Sequence, residues 1–156
     1  MFLEKSKSRI EAEFAKRAAE VPAVKEAEKE IDTFRPEVAL ALKFLYTAMP
    51  LSDVGNYGVS SFLDYAEHGV FLWENSPYVK NMTEEMFLNY ILYHRINTEE
   101  ILPCRSIFYE DLKDRIQGKS MAEAAIEINY WCAEKATYHT TDNRTIAPIN
   151  VYRCGN

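Results

Sequence analysis

The chain has 156 residues, about one domain's length, and a net charge of −6. It has no basic stripe interleaved with aromatics, which argues against nucleic acid as a partner. Its 47% hydrophobic content, with two Trp, ten Tyr and eight Phe, suits a buried core rather than intrinsic disorder.

Nearly the whole length reads as helix, with no internal repeat. Leu3, Ile10, Phe14, Ala18 and Val21 follow one another at helical spacing and draw one apolar stripe. Pro22 breaks it. Val24, Ala27, Ile31 and Phe34 form a second stripe, opposed by Lys25, Glu26, Glu28, Lys29 and Glu30. Mixed charges of this kind mark a solvated helix face. Pro36 suits a first helical turn. The run from Val38 to Met49 is apolar on most sides, as expected of a helix at the centre of the core.

Residues 49–58, with Pro50, Gly55 and Gly58, read as a turn-rich connector. Phe62, Leu63, Ala66, Val70 and Trp73 give the next amphipathic helix, ending near Asn75-Ser76-Pro77. Asn81 and Glu84 have the spacing of a capping box for a helix carrying Met86, Phe87, Tyr90, Ile91 and His94. Ser106 is the expected cap of a helix through Ile107, Phe108, Leu112 and Ile116, closed by Gly118. Ser120 and Glu123 form the clearest capping box. They open a helix with Met121, Ala124, Ala125, Ile128, Trp131, Cys132 and Ala136 along one side. The remaining residues lack a helical stripe. Pro148 argues against a helix, and Ile146, Ile149 and Val151 are expected in a short extended segment.

The residue types that carry chemistry are scattered. His68, His94 and His139 lie far apart, and none has a second ligand at helical spacing, so no zinc site is expected. No glycine-rich phosphate loop occurs. Glu84-Glu85 and Glu99-Glu100 fall at helix starts, where they offset the partial charge of free N–H groups. Tyr57, Tyr65, Tyr90, Tyr109 and Tyr130 have the spacing of core or rim packing, with a sugar- or peptide-binding groove as the alternative. Cys104, Cys132 and Cys154 form neither a disulfide framework nor a CxxC pair, which fits a reducing compartment. Cys132, on the apolar side of its helix, reads as a small buried thiol. Cys154 has Arg153 beside it, but only His139 is near in sequence, and no acidic or amide partner completes a triad. The triplets Asn81-Met82-Thr83 and Asn143-Arg144-Thr145 match the glycosylation pattern, but no secretory signal accompanies them.

A set of short blocks in order is more specific than any of these. Met49-Pro50-Leu51-Ser52-Asp53, Asn56-Tyr57 and Phe87-Leu88-Asn89-Tyr90-Ile91-Leu92 come first. Arg95-Ile96-Asn97-Thr98-Glu99, Phe108-Tyr109 and Ala124 to Cys132 follow, then Tyr138, Thr141-Asp142-Asn143-Arg144-Thr145 and Pro148. This succession resembles the helical front half of bacterial transglutaminase-like domain proteins, over roughly Met49 to Asn156. The resemblance implies a papain-like core opened by the helix from Ser120. A loop like Thr140 to Gly155 follows, then a nucleophilic cysteine in a Gly-Arg-Cys-Gly-Glu motif, with histidine and aspartate later on strands. It implies acyl transfer at amide bonds. Arg153-Cys154-Gly155 precedes that motif and does not replace it. No catalytic residue therefore carries over, and Asp142 and Arg144 are expected to brace the approach loop.

The expectation is a mainly α protein. A multi-helix region over 1–118 leads into the first helix and approach loop of an incomplete papain-like, transglutaminase-like α+β core over 119–156. The expected function is the scaffolding helical part of a cysteine acyl-transferase or peptidase, catalytically incomplete alone. The alternatives are a self-sufficient helical protein-binding module and a small cysteine enzyme using Cys154. No catalytic, cofactor-binding or metal-binding residue is assigned, and no cofactor is expected. The expected partners are the reacting half of such a protein or another protein or peptide, with neither nucleic acid nor membrane. Self-association through uncovered apolar surface is expected, and the location is cytoplasmic, since neither a signal segment nor a membrane span is seen.

Overall fold

A computed structural model of the chain describes residues 1–95, 100–136 and 148–154, with only the backbone of Cys154. All regular structure among these residues is helical, and no helix there is long and apolar enough to cross a membrane. The mainly α expectation is met in that form. The papain-like part of it rests on the resemblance alone. The chain forms two compact units, Met1–His94 and Arg95–Asn156.

The first unit is built on α3 (Pro36–Ala48), against which α1 (Lys7–Glu20) and α5 (Val59–Asn75) pack. The stripe read from the sequence is the buried face of α1: Ile10, Phe14 and Ala18 are all in the core. Pro22 ends α1 and opens α2 (Pro22–Ile31) as its first residue, where the missing N–H removes no hydrogen bond. Eight residues of α3 are buried, among them Leu42 and Leu45. A fully buried leucine contributes roughly 1.5–3 kcal/mol, so this helix holds much of the unit's apolar free energy.

Three local readings change in this unit. The connector contains a helix, α4 (Leu51–Asn56), which buries Asp53 and Val54. The expected Asn81–Glu84 capping box does not form. Thr83 caps the short helix α6 (Glu84–Met86) by accepting from the Met86 N–H. Glu84 instead reaches back to the start of the chain. Its carboxylate accepts from the backbone N–H of Lys5 at 3.1 Å and of Ser6 at 2.7 Å. Two backbone N–H groups just ahead of α1 are thereby bound from 79 and 78 residues away, that of Ser6 being shared with the Leu3 carbonyl at 3.1 Å. Beyond Met86 the chain winds as a π-helix over Phe87–Leu92. The wider turn changes which residues share a face: Phe87, Leu88 and Leu92 are buried, while Tyr90 is exposed.

The first residues are held into this unit as well. Leu3 adopts a left-handed conformation, φ 48°, and is fully buried. Such a conformation costs a branched residue roughly 1–2 kcal/mol. Burial of Leu3 and the Glu84 hydrogen bonds offset that cost. Phe2 meets Trp73 edge-on at 5.7 Å, and Trp73 in turn meets Phe87 at 4.9 Å.

The second unit contains α7 (Arg105–Ile116), α8 (Met121–Lys135) and α9 (Pro148–Cys154). Helix α7 starts at Arg105, earlier than a Ser106 cap would place it. Gly118 follows α7 with φ 73°, the left-handed conformation expected of a closing glycine. Ser120 and Glu123 form the capping box read from the sequence: each side chain accepts from the other residue's backbone N–H. The terminal segment is helical rather than extended. Pro148 is the first residue of α9, a position where proline favours a helix. Ile149 is buried, Val151 lies on the helix and Ile146 is outside the described residues.

Candidate functional site

Three groups of side chains could carry function. The first is a buried pair in the Met1–His94 unit. The turn of α4 carries Asp53 inward, and the chain leaving the π-helix carries His94 to it. His94 Nε2 lies 3.0 Å from Asp53 Oδ2, and the two residues are 3% and 2% exposed. The Phe62 ring meets the imidazole edge-on at 5.4 Å, and Tyr93 is tilted against it at 4.7 Å. A carboxylate beside an imidazole is the orienting half of an acid–base device. Here both side chains are sealed from solvent, so neither can reach a substrate in this conformation. The arrangement fixes α4 to the end of the π-helix.

The second group ties the last helix into the Arg95–Asn156 unit. Asp111 Oδ2 on α7 accepts from the Tyr152 hydroxyl at 3.0 Å and from Trp131 Nε1 at 3.3 Å. The Lys135 ammonium stands 3.5 Å from the same oxygen and 5.2 Å above the Tyr152 ring. The Tyr152 hydrogen bond, helped by Trp131 and Lys135, holds the Asp111 carboxyl below its ordinary pKa, and the same bond raises that of Tyr152. Tyr152 also stacks on Trp131 at 5.8 Å and meets Phe108 at 5.5 Å. One aspartate thus joins α7, α8 and α9.

The third group is the outer surface of α8. Only Ala124 and Trp131 are buried on this helix. Met121, Ile126 and Tyr130 are 58%, 56% and 61% exposed. Ile126 and Tyr130 are four residues apart and share one face, with Ala122 and Ala133 beside them. The charged groups of α8 are directed elsewhere. Glu123 closes the capping box, Glu134 pairs with Arg115, and Glu127 pairs with Lys119 at 3.3 Å.

The cysteines divide differently from the expectation. Cys132 is exposed, whereas the apolar stripe of α8 predicts a buried thiol. The reason is that α8 buries only a narrow face on α7, centred on Ala124 and Trp131, and Cys132 falls beside it. Cys104 is the buried one. Cys154 is in the last turn of α9, and His139, Asp142 and Arg144 lie outside the described residues. His68 stacks on Phe71 at 5.4 Å within α5. Of the tyrosines considered for a groove, Tyr65 is buried, while Tyr90 in the first unit and Tyr130 in the second are exposed. Among the described residues no group of three His, Cys, Asp or Glu side chains is placed to hold a metal ion.

Sequence reasoning missed the Asp53–His94 pair and the Glu84 contact. Each joins positions 41 or more residues apart, and no local pattern signals either. Comparisons with protein-family models, curated proteins and solved structures find no match for this chain.

Proposed function

We propose that the chain is a non-reacting helical scaffold that docks a protein partner on the outer face of α8. This is the role the sequence resemblance gives to the helical part of a transglutaminase-like cysteine acyl-transferase or peptidase. The observation that carries the reading is the exposure of Ile126 and Tyr130 on a helix whose own carboxylates are already engaged. Burying two such side chains on a partner releases apolar surface from water without stripping a charge. The partner is a protein surface that is apolar and nearly uncharged where it meets α8. The reading names the reacting half of a transglutaminase-like protein as that surface.

The test places a photo-cross-linker at Ala133 of the full chain, next to Ile126 and Tyr130. A cross-link to a protein carrying a Gly-Arg-Cys-Gly-Glu motif, lost in Ile126→Glu/Tyr130→Glu, supports the proposal. A different partner captured at that face, and lost in the same variant, leaves a self-sufficient binding module instead. A chain that stays monomeric, binds no hydrophobic dye and gives no cross-link overturns the docking role. Amide turnover by the purified chain, abolished by Cys154→Ser or Cys132→Ser, overturns the non-reacting role.

A further inference from the structure

A second surface, in the Met1–His94 unit, has a different chemistry. The segment between α5 and α6 passes beside the start of the chain and leaves an open groove of about 550 Å³. Lys5, Trp73, Lys80, Asn81, Thr83 and Glu84 line it. The volume falls within the roughly 300–1,000 Å³ of sites that take small molecules.

Trp73 is neither fully buried nor exposed, and its position is set by edge-on contacts with Phe2 and Phe87. Trp73 borders the groove, so the part of its indole left open there is an aromatic surface on which a ring can pack. The polar rim is unevenly committed. Thr83 caps α6, and the Glu84 carboxylate is taken up by the backbone N–H groups of Lys5 and Ser6. Burial opposes ionisation of Glu84, but those bonds, the Ser6 hydroxyl and the Lys5 charge outweigh it and hold its pKa below the ordinary value. It therefore stays a carboxylate facing the chain start.

Lys5 and Lys80 are different. Among the described residues neither ammonium has a carboxylate within 4.0 Å, and the Asn81 amide makes no hydrogen bond. In the same unit Lys25, Lys29, Lys43 and Arg35 each face a carboxylate. In a chain of net charge −6, the two ammonium groups of this groove outnumber its one carboxylate, Glu84, and leave a local net positive charge.

We propose that this groove binds a small anion that carries a planar ring. The ring stacks on Trp73, and its phosphate or carboxylate group lies between Lys5 and Lys80 with Asn81 as a further donor. The two demands act together: the lysines alone are solvated surface cations, and the indole alone has no preference for charge.

Phenyl phosphate is the probe, with inorganic phosphate and phenol as its two halves. The chain has two tryptophans, so the two indole N–H signals in a ¹H–¹⁵N spectrum of the full chain report separately. Trp131, in the other unit, is the internal control. Phenyl phosphate is expected to shift the Trp73 signal saturably with a Kd of about 1 mM or below, and to leave Trp131 in place. Lys5→Gln/Lys80→Gln, at two exposed positions, is expected to weaken binding about tenfold or more through loss of both charges. The absence of a saturable Trp73 shift overturns the proposal, as does equal movement of Trp131 or an unchanged Kd in the double variant. Inorganic phosphate or phenol binding as tightly as phenyl phosphate also overturns it, because one half of the site would then suffice.

Discussion

The sealed Asp53–His94 pair makes a sharp prediction about stability. A unit of the size of Met1–His94 is worth roughly 5 to 14 kcal/mol in total, on the per-residue scale of small domains. His94→Phe preserves a planar ring against Phe62 but leaves the Asp53 carboxylate buried without its 3.0 Å partner. Taking one hydrogen-bond partner from a buried polar group costs roughly 1–3 kcal/mol, since the group keeps its desolvation penalty and loses part of its compensation. The single change is therefore expected to remove a measurable share of the unit's stability. Asp53→Leu/His94→Phe removes both the penalty and the compensation, and is expected to recover most of the loss. Urea unfolding followed by Trp73 fluorescence, in a Trp131→Phe background, reads the first unit by itself. A loss below about 1 kcal/mol in the single variant, or no recovery in the double, would refute the argument that this pair is buried and mutually dependent.

Three further outcomes follow from the same unit. Tyr46, 2% exposed and edge-on to Phe62 at 5.6 Å, has its pKa pushed up to about 12, by burial first and by the charge of Glu30 second. The folded state thus resists ionisation that the unfolded chain undergoes near pH 10. Its contribution of about 3 kcal/mol is full below pH 10 and lost as the pH rises towards 12; Tyr46→Phe should flatten that alkaline fall in unfolding free energy. Gly69 sits inside α5, where alanine would ordinarily favour a helix by about 1 kcal/mol. A Cβ there would lie 2.7 Å from Leu92 Cδ1 in the core, so Gly69→Ala should destabilise, while in a Leu92→Ala background the same change should stabilise; thermal unfolding of the four proteins decides. Glu84→Gln should weaken the chain start by about 1–2 kcal/mol at neutral pH, seen as faster amide exchange at Lys5 and Ser6. Because the folded pKa is depressed, the difference from the parent chain should shrink as pH falls below the ordinary carboxylate pKa and vanish once pH is below the lowered folded value.

The legible parts of this fold are those with local causes. Pro22 between α1 and α2, the Ser120–Glu123 box and Gly118 each act within a few residues, and each was readable. The stripe Ile10, Phe14 and Ala18 was readable because one helix buries one face at a constant period, whereas Leu3, read as part of it, is buried from a left-handed turn ahead of α1. Where the period itself changes, the reading fails. Over Phe87–Leu92 the π-turn puts Leu88 and Leu92 into the core and Tyr90 outside, although an α period pairs Phe87 with Tyr90 and Ile91. A conformation set by tertiary packing leaves no mark on the residues that adopt it. The same holds for Glu84, whose spacing from Asn81 suggested a cap and whose carboxylate instead binds the backbone just ahead of α1. Pro148 misled for a different reason: it was weighed as a breaker, but a proline breaks a helix only from inside and starts one at its first position.

Helix α8 marks where sequence reading stops short of function. Apolar residues occur on more than one side of it: Ala124 and Trp131, then Met121, Ile128 and Cys132, then Ile126 and Tyr130. A helix with apolar groups on several sides is expected to be covered on several sides. The sequence can say that cover is wanted, but it cannot say which side the chain itself supplies. The structure answers for one side only: α7 and the Tyr152 ring cover Ala124 and Trp131. The residues left open are not those the predicted stripe favoured least. Met121 and Cys132 belong to that stripe and remain exposed beside Ile126 and Tyr130, which do not. The open surface is therefore wider than a single heptad seam, and a partner that buried Ile126 and Tyr130 alone would leave Met121 in water. A cross-linker at Ala125, between the two exposed sides, should thus capture the same partner as one at Ala133, and capture at Ala133 alone would limit the docking surface to the Ile126–Tyr130 side.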